Sequence, residues 1–215
     1  MNMINRFAHR LFSLCIVWPV LRIWLGLRVH NRERLPLQGP AIIVANHNSH
    51  LDIFTLLSLF PLRQHAMIRP VAAADYFLRN RLLAWFTQNI LNIIPVVRGG
   101  DNACDPLAAC ADALRQNQIL ILFPEGTRGE PEKISGFKSG LWYLAQSFPE
   151  TPIVPVYLKG LGRSMGKGRH IPLPLFIDIH IDEPCYWLDD KQQFKDALQT
   201  RFTVLQQQTQ GQHHG

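Results

Sequence analysis

His47 and Asp52 stand five positions apart in the run Asn46-His47-Asn48-Ser49-His50-Leu51-Asp52, a spacing that lets a carboxylate fold back onto an imidazole. A neutral histidine titrates near physiological pH and can take a proton from a hydroxyl. A carboxylate on its other ring nitrogen fixes the tautomer and stabilises the imidazolium that forms. Asp52 also has a plainer reading, because Ser49-x-x-Asp52 is a capping-box pattern in which the carboxylate accepts backbone N–H groups at a helix start. The spacing leaves both roles open, and they coexist if the two carboxylate oxygens are divided between them. Arg98 precedes Gly99-Gly100, and Arg128 ends Pro124-Glu125-Gly126-Thr127-Arg128. Guanidinium forks beside glycines suit an anion gripped by side chain and backbone together. The chemistry implied is proton abstraction beside an anionic substrate, with Glu125 pairing a neighbouring arginine to hold its fork.

Other polar residues in the chain invite chemistry and lack its context. Ser49 has no G-x-S-x-G elbow, and its place before a helix is that of an N-cap. His47, His50 and Asp52 form H-x-x-H-x-D, which matches no familiar metal spacing, so no metal is expected and His50 is read as packing or meeting solvent. The glycine-rich stretch from Lys159 to Arg169 has Met165 where a dinucleotide loop needs glycine, and Gly168 after Lys167 where a Walker loop needs Ser or Thr. It reads as a basic loop meeting headgroups or substrate. Cys15, Cys104, Cys110 and Cys185 form no C-x-x-C pair and read as reduced structural thiols, and His213-His214 is too isolated for a metal site.

Elements must bring the histidine and the arginines together, and the apolar patterning supplies them. Ala41 to Ala45, Ile93 to Val97 and Ile119 to Phe123 are short, apolar and largely β-branched, and each ends where one of the polar motifs begins. If these strands are parallel, the motifs share the carboxyl edge of one sheet, where open α/β sheets bind ligands. Further strands are expected at Leu27 to His30 on an edge, Ala66 to Ala72, Ile153 to Leu158 and Leu175 to Ile181. Pro152 and Pro155 place the Ile153 strand near an edge or a bulge. Helices are expected from Leu51 to Phe60, Asp75 to Asn92, Asp105 to Asn117 and Gly136 to Phe148. The alternation implies an α/β fold, a single domain with a largely parallel central sheet flanked by helices.

At 215 residues the chain is long enough to bury a sizeable core as one domain with an appendage. Its net charge of +6 is concentrated at the N-terminus, where residues 1 to 35 hold six arginines against Glu33. The remainder is close to neutral, and nucleic acid is not an expected partner. Leu11 to Leu27 is apolar apart from Ser13, Pro19, Arg22 and Gly26, and includes Trp18 and Trp24. It falls a little short of the roughly 20 apolar residues of a membrane span and carries a proline and an arginine. No small-residue cleavage site follows it, so a signal peptide is disfavoured. Residues 1–27 are therefore read as a membrane-associating anchor, a broken pair of helices lying in one leaflet with arginines at anionic headgroups. Residues 28–205 form the folded domain, and the polar, glutamine-rich residues 206–215 a frayed tail.

With these motifs in view, the chain resembles the glycerolipid acyltransferase family that includes the lysophosphatidic acid (1-acyl-sn-glycerol-3-phosphate) acyltransferases. The likeness covers roughly residues 35 to 160. Asn46-His47-x-x-x-x-Asp52 is similar to the family's first block, which implies His47 as general base and Asp52 as its orienting partner. Ile94-Pro95-Val96-Val97-Arg98 is similar to the second, whose arginine meets the acceptor phosphate. Phe123-Pro124-Glu125-Gly126-Thr127-Arg128 is similar to the third, the glycerol-phosphate-binding block, and Thr151 to Val156 to the apolar fourth. Gly129 departs from the serine that many relatives carry there.

The resemblance implies acyl transfer from acyl-CoA or acyl-carrier protein, a co-substrate rather than a bound cofactor, to the free hydroxyl of a lysophospholipid. Arg98, Arg128 and Lys138 would hold the phosphate, and Glu125, Gly126 and Thr127 would complete the binding turn. Backbone N–H groups beside His47 are the expected oxyanion donors. The expected setting is a membrane surface, monotopic or peripheral, with the site facing the cytoplasm. The alternatives are another lysolipid acceptor, a lipid-binding protein without catalysis, or a hydrolase with His47, His50 and Asp52 on a metal.

Overall fold

The structure, a computed structural model, describes residues 3–74, 80–97, 105–130, 133–165 and 172–211. Seven strands form one sheet: β1 (Leu27–His30), β2 (Ala41–Ala45), β3 (Ile68–Ala73), β4 (Ile94–Val96), β5 (Ile119–Leu122), β6 (Ile153–Lys159) and β7 (Ile177–Ile181). Their order across the sheet is β1-β7-β6-β2-β5-β3-β4. Every neighbouring pair is parallel except β6 with β7, so five strands point their carboxyl ends at one edge while β1 and β7 run against them. The largely parallel α/β sheet read from the alternation is the one observed.

All five residues of β2 are buried, which is why its sequence is continuously apolar instead of alternating. Ala41, Ile43 and Ala45 pack into a cluster with Leu56 and Leu57 of α2 (Asp52–Ser58) and with Leu21 and Leu25. Ile42 and Val44 face the opposite cluster. There they meet Leu114 of α4 (Ala108–Arg115), Leu141 and Leu144 of α5 (Gly140–Ser147), and Phe194 and Phe202 of α7 (Lys191–Gly211). α3 (Arg81–Asn89) and α6 (Leu161–Met165) complete the described helices. The helices are shorter than the periodicity suggests, and the Asp75 to Arg79 start expected for α3 lies outside the described residues.

Three expectations are decided by the structure. The first concerns the N-terminal segment, which is one continuous helix, α1 (Met3–Trp24), not a broken pair. It carries π-helical turns at Ser13–Val17 and Val20–Trp24, and the first of these widens the ladder just before Pro19, which has no N–H to donate. By length and composition this helix is able to cross a membrane. Over its first half its faces are inverted relative to a soluble helix: the buried stripe there is polar, Asn5, His9 and Ser13, and Leu21 continues that side into the core, while Met3, Ile4, Phe7, Leu11 and Ile23 are exposed.

The second concerns β6, whose prolines allow an edge or a bulge: it sits between β7 and β2 in the middle of the sheet, and the bulge is what the structure has. Pro155 is tolerated because the neighbouring chain carries an extra residue there. Ile153 pairs with Cys185 and Pro155 O accepts from Asp182 N, so two steps along β6 face three along its neighbour. The third concerns the expected tail, because α7 runs to Gly211 and includes 206–211, with 212–215 outside the described residues. Phe194, Leu198, Phe202 and Leu205, at helical spacing, anchor it to the core.

Candidate active site

His47 lies two residues past the end of β2, in the turn that enters α2, and Asp52 is the first residue of that helix. Asp52 Oδ2 accepts from His47 Nδ1 at 2.9 Å, from Asn48 N at 2.7 Å and from Ser49 N at 2.8 Å. The dyad and the cap therefore coexist on one oxygen and are not divided between two. Oδ1 has no hydrogen-bond partner among the described residues. Asp52 is wholly buried while the His47 side chain is 20% exposed, so the carboxylate stands behind the ring and the ring faces outward. With Nδ1 donating to Asp52, Nε2 is left as the basic nitrogen. The ring also stacks on Phe123, centroids 4.2 Å apart.

The turn is held on its other side by Glu125. Its Oε1 accepts from His47 N at 2.9 Å and its Oε2 from Ser135 N at 3.0 Å, with the residue 2% exposed. Both oxygens thus hold backbone, which corrects the expectation that Glu125 braces an arginine and gives it a supporting position beneath the site. It also removes the expected oxyanion donors, since the N–H groups of His47, Asn48 and Ser49 all go to Glu125 or Asp52. Ser49 Oγ donates to Met165 O and accepts from Leu51 N, the contacts of a turn residue and not of a nucleophile.

The loop after β5 comes to the same edge because Val44 is paired with Leu122. Gly129 N donates to His47 O at 2.9 Å, tying the two turns together. Gly126 has a φ of +73°, in the left-handed region, and a Cβ there would lie 3.3 Å from Lys138 Cγ. Thr127 is exposed, Arg128 is half-buried, and Lys138 is exposed with its backbone N–H on Pro124 O. Arg128 Nη1 is in hydrogen-bond contact with His50 Nε2, so His50 does more than pack or meet solvent. Arg98 lies outside the described residues.

His47, Gly126, Thr127, Arg128 and Lys138 line one cavity of about 540 Å³. Its remaining walls are mainly apolar, among them Ile53, Phe54, Phe86, Leu91, Ile93, Val96 and Leu144. These walls come from elements far apart in sequence, and no local motif marks them. The arrangement offers a base with a fixed tautomer, two cations beside it and an apolar chamber of the size that ligand sites favour.

A solved structure of the 1-acyl-sn-glycerophosphate (LPA) acyltransferase PlsC from Thermotoga maritima superposes with a TM-score of 0.74 at 21% identity, covering 98% of this chain and 84% of that one. The likeness bears on the fold. In sequence, the chain is 28% identical over 166 residues to the chloroplast 1-acyl-sn-glycerol-3-phosphate acyltransferase of Arabidopsis thaliana, covering 76% of this chain and 43% of that protein. It is 30% identical over 138 residues to the human 1-acyl-sn-glycerol-3-phosphate acyltransferase alpha, covering 62% and 45%. The chain thus spans under half the length of these curated relatives. A family model described as Acyltransferase matches residues 26–159, well over half the chain and both turns of the site, and the chain accordingly belongs to the acyltransferase family.

Proposed function

We infer that this protein transfers a fatty acyl group from a thioester, acyl-CoA or acyl-carrier protein, to the free hydroxyl of a lysophospholipid. The acceptor we assign is 1-acylglycerol-3-phosphate, giving phosphatidic acid. The observation that carries the reading is the hydrogen bond from His47 Nδ1 to the buried Asp52, beside a cavity that also holds Arg128 and Lys138. The acceptor hydroxyl gives its proton to His47 Nε2 as its oxygen bonds to the thioester carbonyl carbon. The tetrahedral intermediate collapses with loss of the thiolate, which takes the proton back from the imidazolium. No acyl-enzyme forms in this scheme.

Arg128 and Lys138, with Arg98 from the second motif, hold the phosphate and so aim the hydroxyl at the imidazole. Gly126 and Thr127 shape the turn that carries Arg128, and the apolar chamber takes the acyl chain. In this reading α1 lies in one leaflet with Met3, Ile4, Phe7 and Leu11 in the lipid and its polar stripe on the domain, the protein is monotopic, and the site faces the cytoplasm; the exposed apolar side chains of α1 support the membrane contact. The partners this reading needs are membrane lipid, the lysophospholipid and the thioester donor.

Turnover by the detergent-solubilised protein, offered lysophosphatidic acid, other lysolipids and both thioester donors, tests the reading. Transfer fastest to lysophosphatidic acid is the expected result. Transfer favouring a headgroup without a phosphomonoester would overturn the acceptor, and binding of lysolipid without transfer to any of them would overturn catalysis.

A further inference from the structure

We propose that His50 is a positioning residue for the anionic headgroup of the acceptor: its Nε2 accepts from Arg128 Nη1 and aims the guanidinium into the cavity. The inference rests on the acyltransferase reading above and goes beyond it to a residue that the family motif leaves unspecified, the third position after His47.

The donor and acceptor roles in this contact follow from chemistry. A guanidinium only donates, so His50 Nε2 presents a lone pair and the ring proton resides on Nδ1. An imidazole partner differs from a carboxylate in what it leaves behind. It takes one of the five guanidinium donors without adding negative charge, so it fixes the fork without competing for the phosphate. The carboxylate next to Arg128 in the same motif, Glu125, has both oxygens on backbone N–H groups instead. His50 and Arg128 both line the cavity with His47 and Lys138, and His50 shares its turn with the proposed base. One rigid turn therefore sets the base and, through His50, the cation.

The test is a comparison of wild type, His50→Ala, His50→Gln and Arg128→Ala in full-length protein, with folding checked by thermal melting. His50→Ala is expected to raise the KM for lysophosphatidic acid about tenfold, the effect of losing one hydrogen bond to a charged group, with kcat within about twofold. It should leave the KM for neutral monoacylglycerol unchanged. The amide oxygen of His50→Gln accepts from Arg128, so this variant should bring the KM back to within about twofold of wild type.

An unchanged KM in His50→Ala, an equal rise for the neutral acceptor, or a KM for His50→Gln as high as that of His50→Ala would overturn the role of His50. Arg128→Ala separates the levels of failure. If it raises the KM and His50→Ala does not, only this inference falls; if it does not, the anionic-acceptor reading falls as well.

Discussion

Two histidine pairs stand at opposite ends of this molecule's chemistry, and the contrast shows what makes an imidazole a base. His47 is paired with a carboxylate and its ring faces a cavity. His9 of α1 is paired with another imidazole: its Nε2 lies 2.7 Å from His65 Nδ1, its Nδ1 2.7 Å from Ile90 O, and His65 Nε2 3.1 Å from Phe60 O. Both of these rings are buried. Two neutral rings bring two N–H protons to three contacts, so the pair is one proton short of satisfying all of them. Burial and the facing His9 ring hold the His65 pKa down to about 4, against which two backbone hydrogen bonds act only partly, so the missing proton is not gained near neutrality. One pair has a carboxylate to stabilise an added proton; the other resists gaining one and serves to dock a helix.

Exchanging the carboxylate removes that distinction most sharply. Asp52→Asn should lower kcat by about 10³-fold or more, because an amide no longer enforces the Nδ1–H tautomer or stabilises the imidazolium. Steady-state kinetics with a melting curve measures this, and a loss of less than tenfold would make the two pairs equivalent. Glu125→Gln should come next, with kcat down about 10²-fold and stability reduced by about 2 kcal/mol. One end of the amide must present an NH₂ to the backbone N–H of His47 or Ser135. Arg128→Ala should raise the acceptor KM by about tenfold to a hundredfold with a smaller change in kcat, which titration of lysophosphatidic acid at saturating donor would read.

The smallest effect belongs to the docking pair and has its own sign. His65 in the docked state binds its proton only near pH 4, whereas an undocked imidazole does so near its ordinary value of 6.5. Between these values the undocked form holds more protons. Docking of α1 is then at full strength above about pH 6.5 and weakens as pH falls toward 4. Hydrogen exchange of the α1 amides in micelles should show faster opening across that window in wild type and a weaker dependence in His65→Leu, where burial still holds the His9 pKa below its ordinary value. A pH-independent wild type would contradict it.

The site was legible in sequence to the extent that its residues are local. The dyad lies within one turn, and the strand patterns of β2 and β5 brought Arg128 to the same edge through the parallel pairing they implied. Glu125 was misread because its partners are backbone amides, one of them 78 positions away, and a backbone N–H leaves no mark in a residue pattern. Pro155 left an edge and a bulge both open for a related reason, since the extra residue that decides for the bulge belongs to the neighbouring segment at Asp182 to Cys185. The polar stripe Asn5, His9 and Ser13 was visible at helical spacing. That it faces inward depends on Asn89, Ile90 and His65, which only the fold supplies.

The central claim is that His47 is the general base of an acyl transfer, and single-turnover transfer to lysophosphatidic acid by His47→Ala tests it most directly. The account predicts a loss of about 10³-fold or more in the chemical step, with melting temperature and lysolipid affinity close to wild type. A variant that folds, binds and still transfers within tenfold of wild type would contradict it.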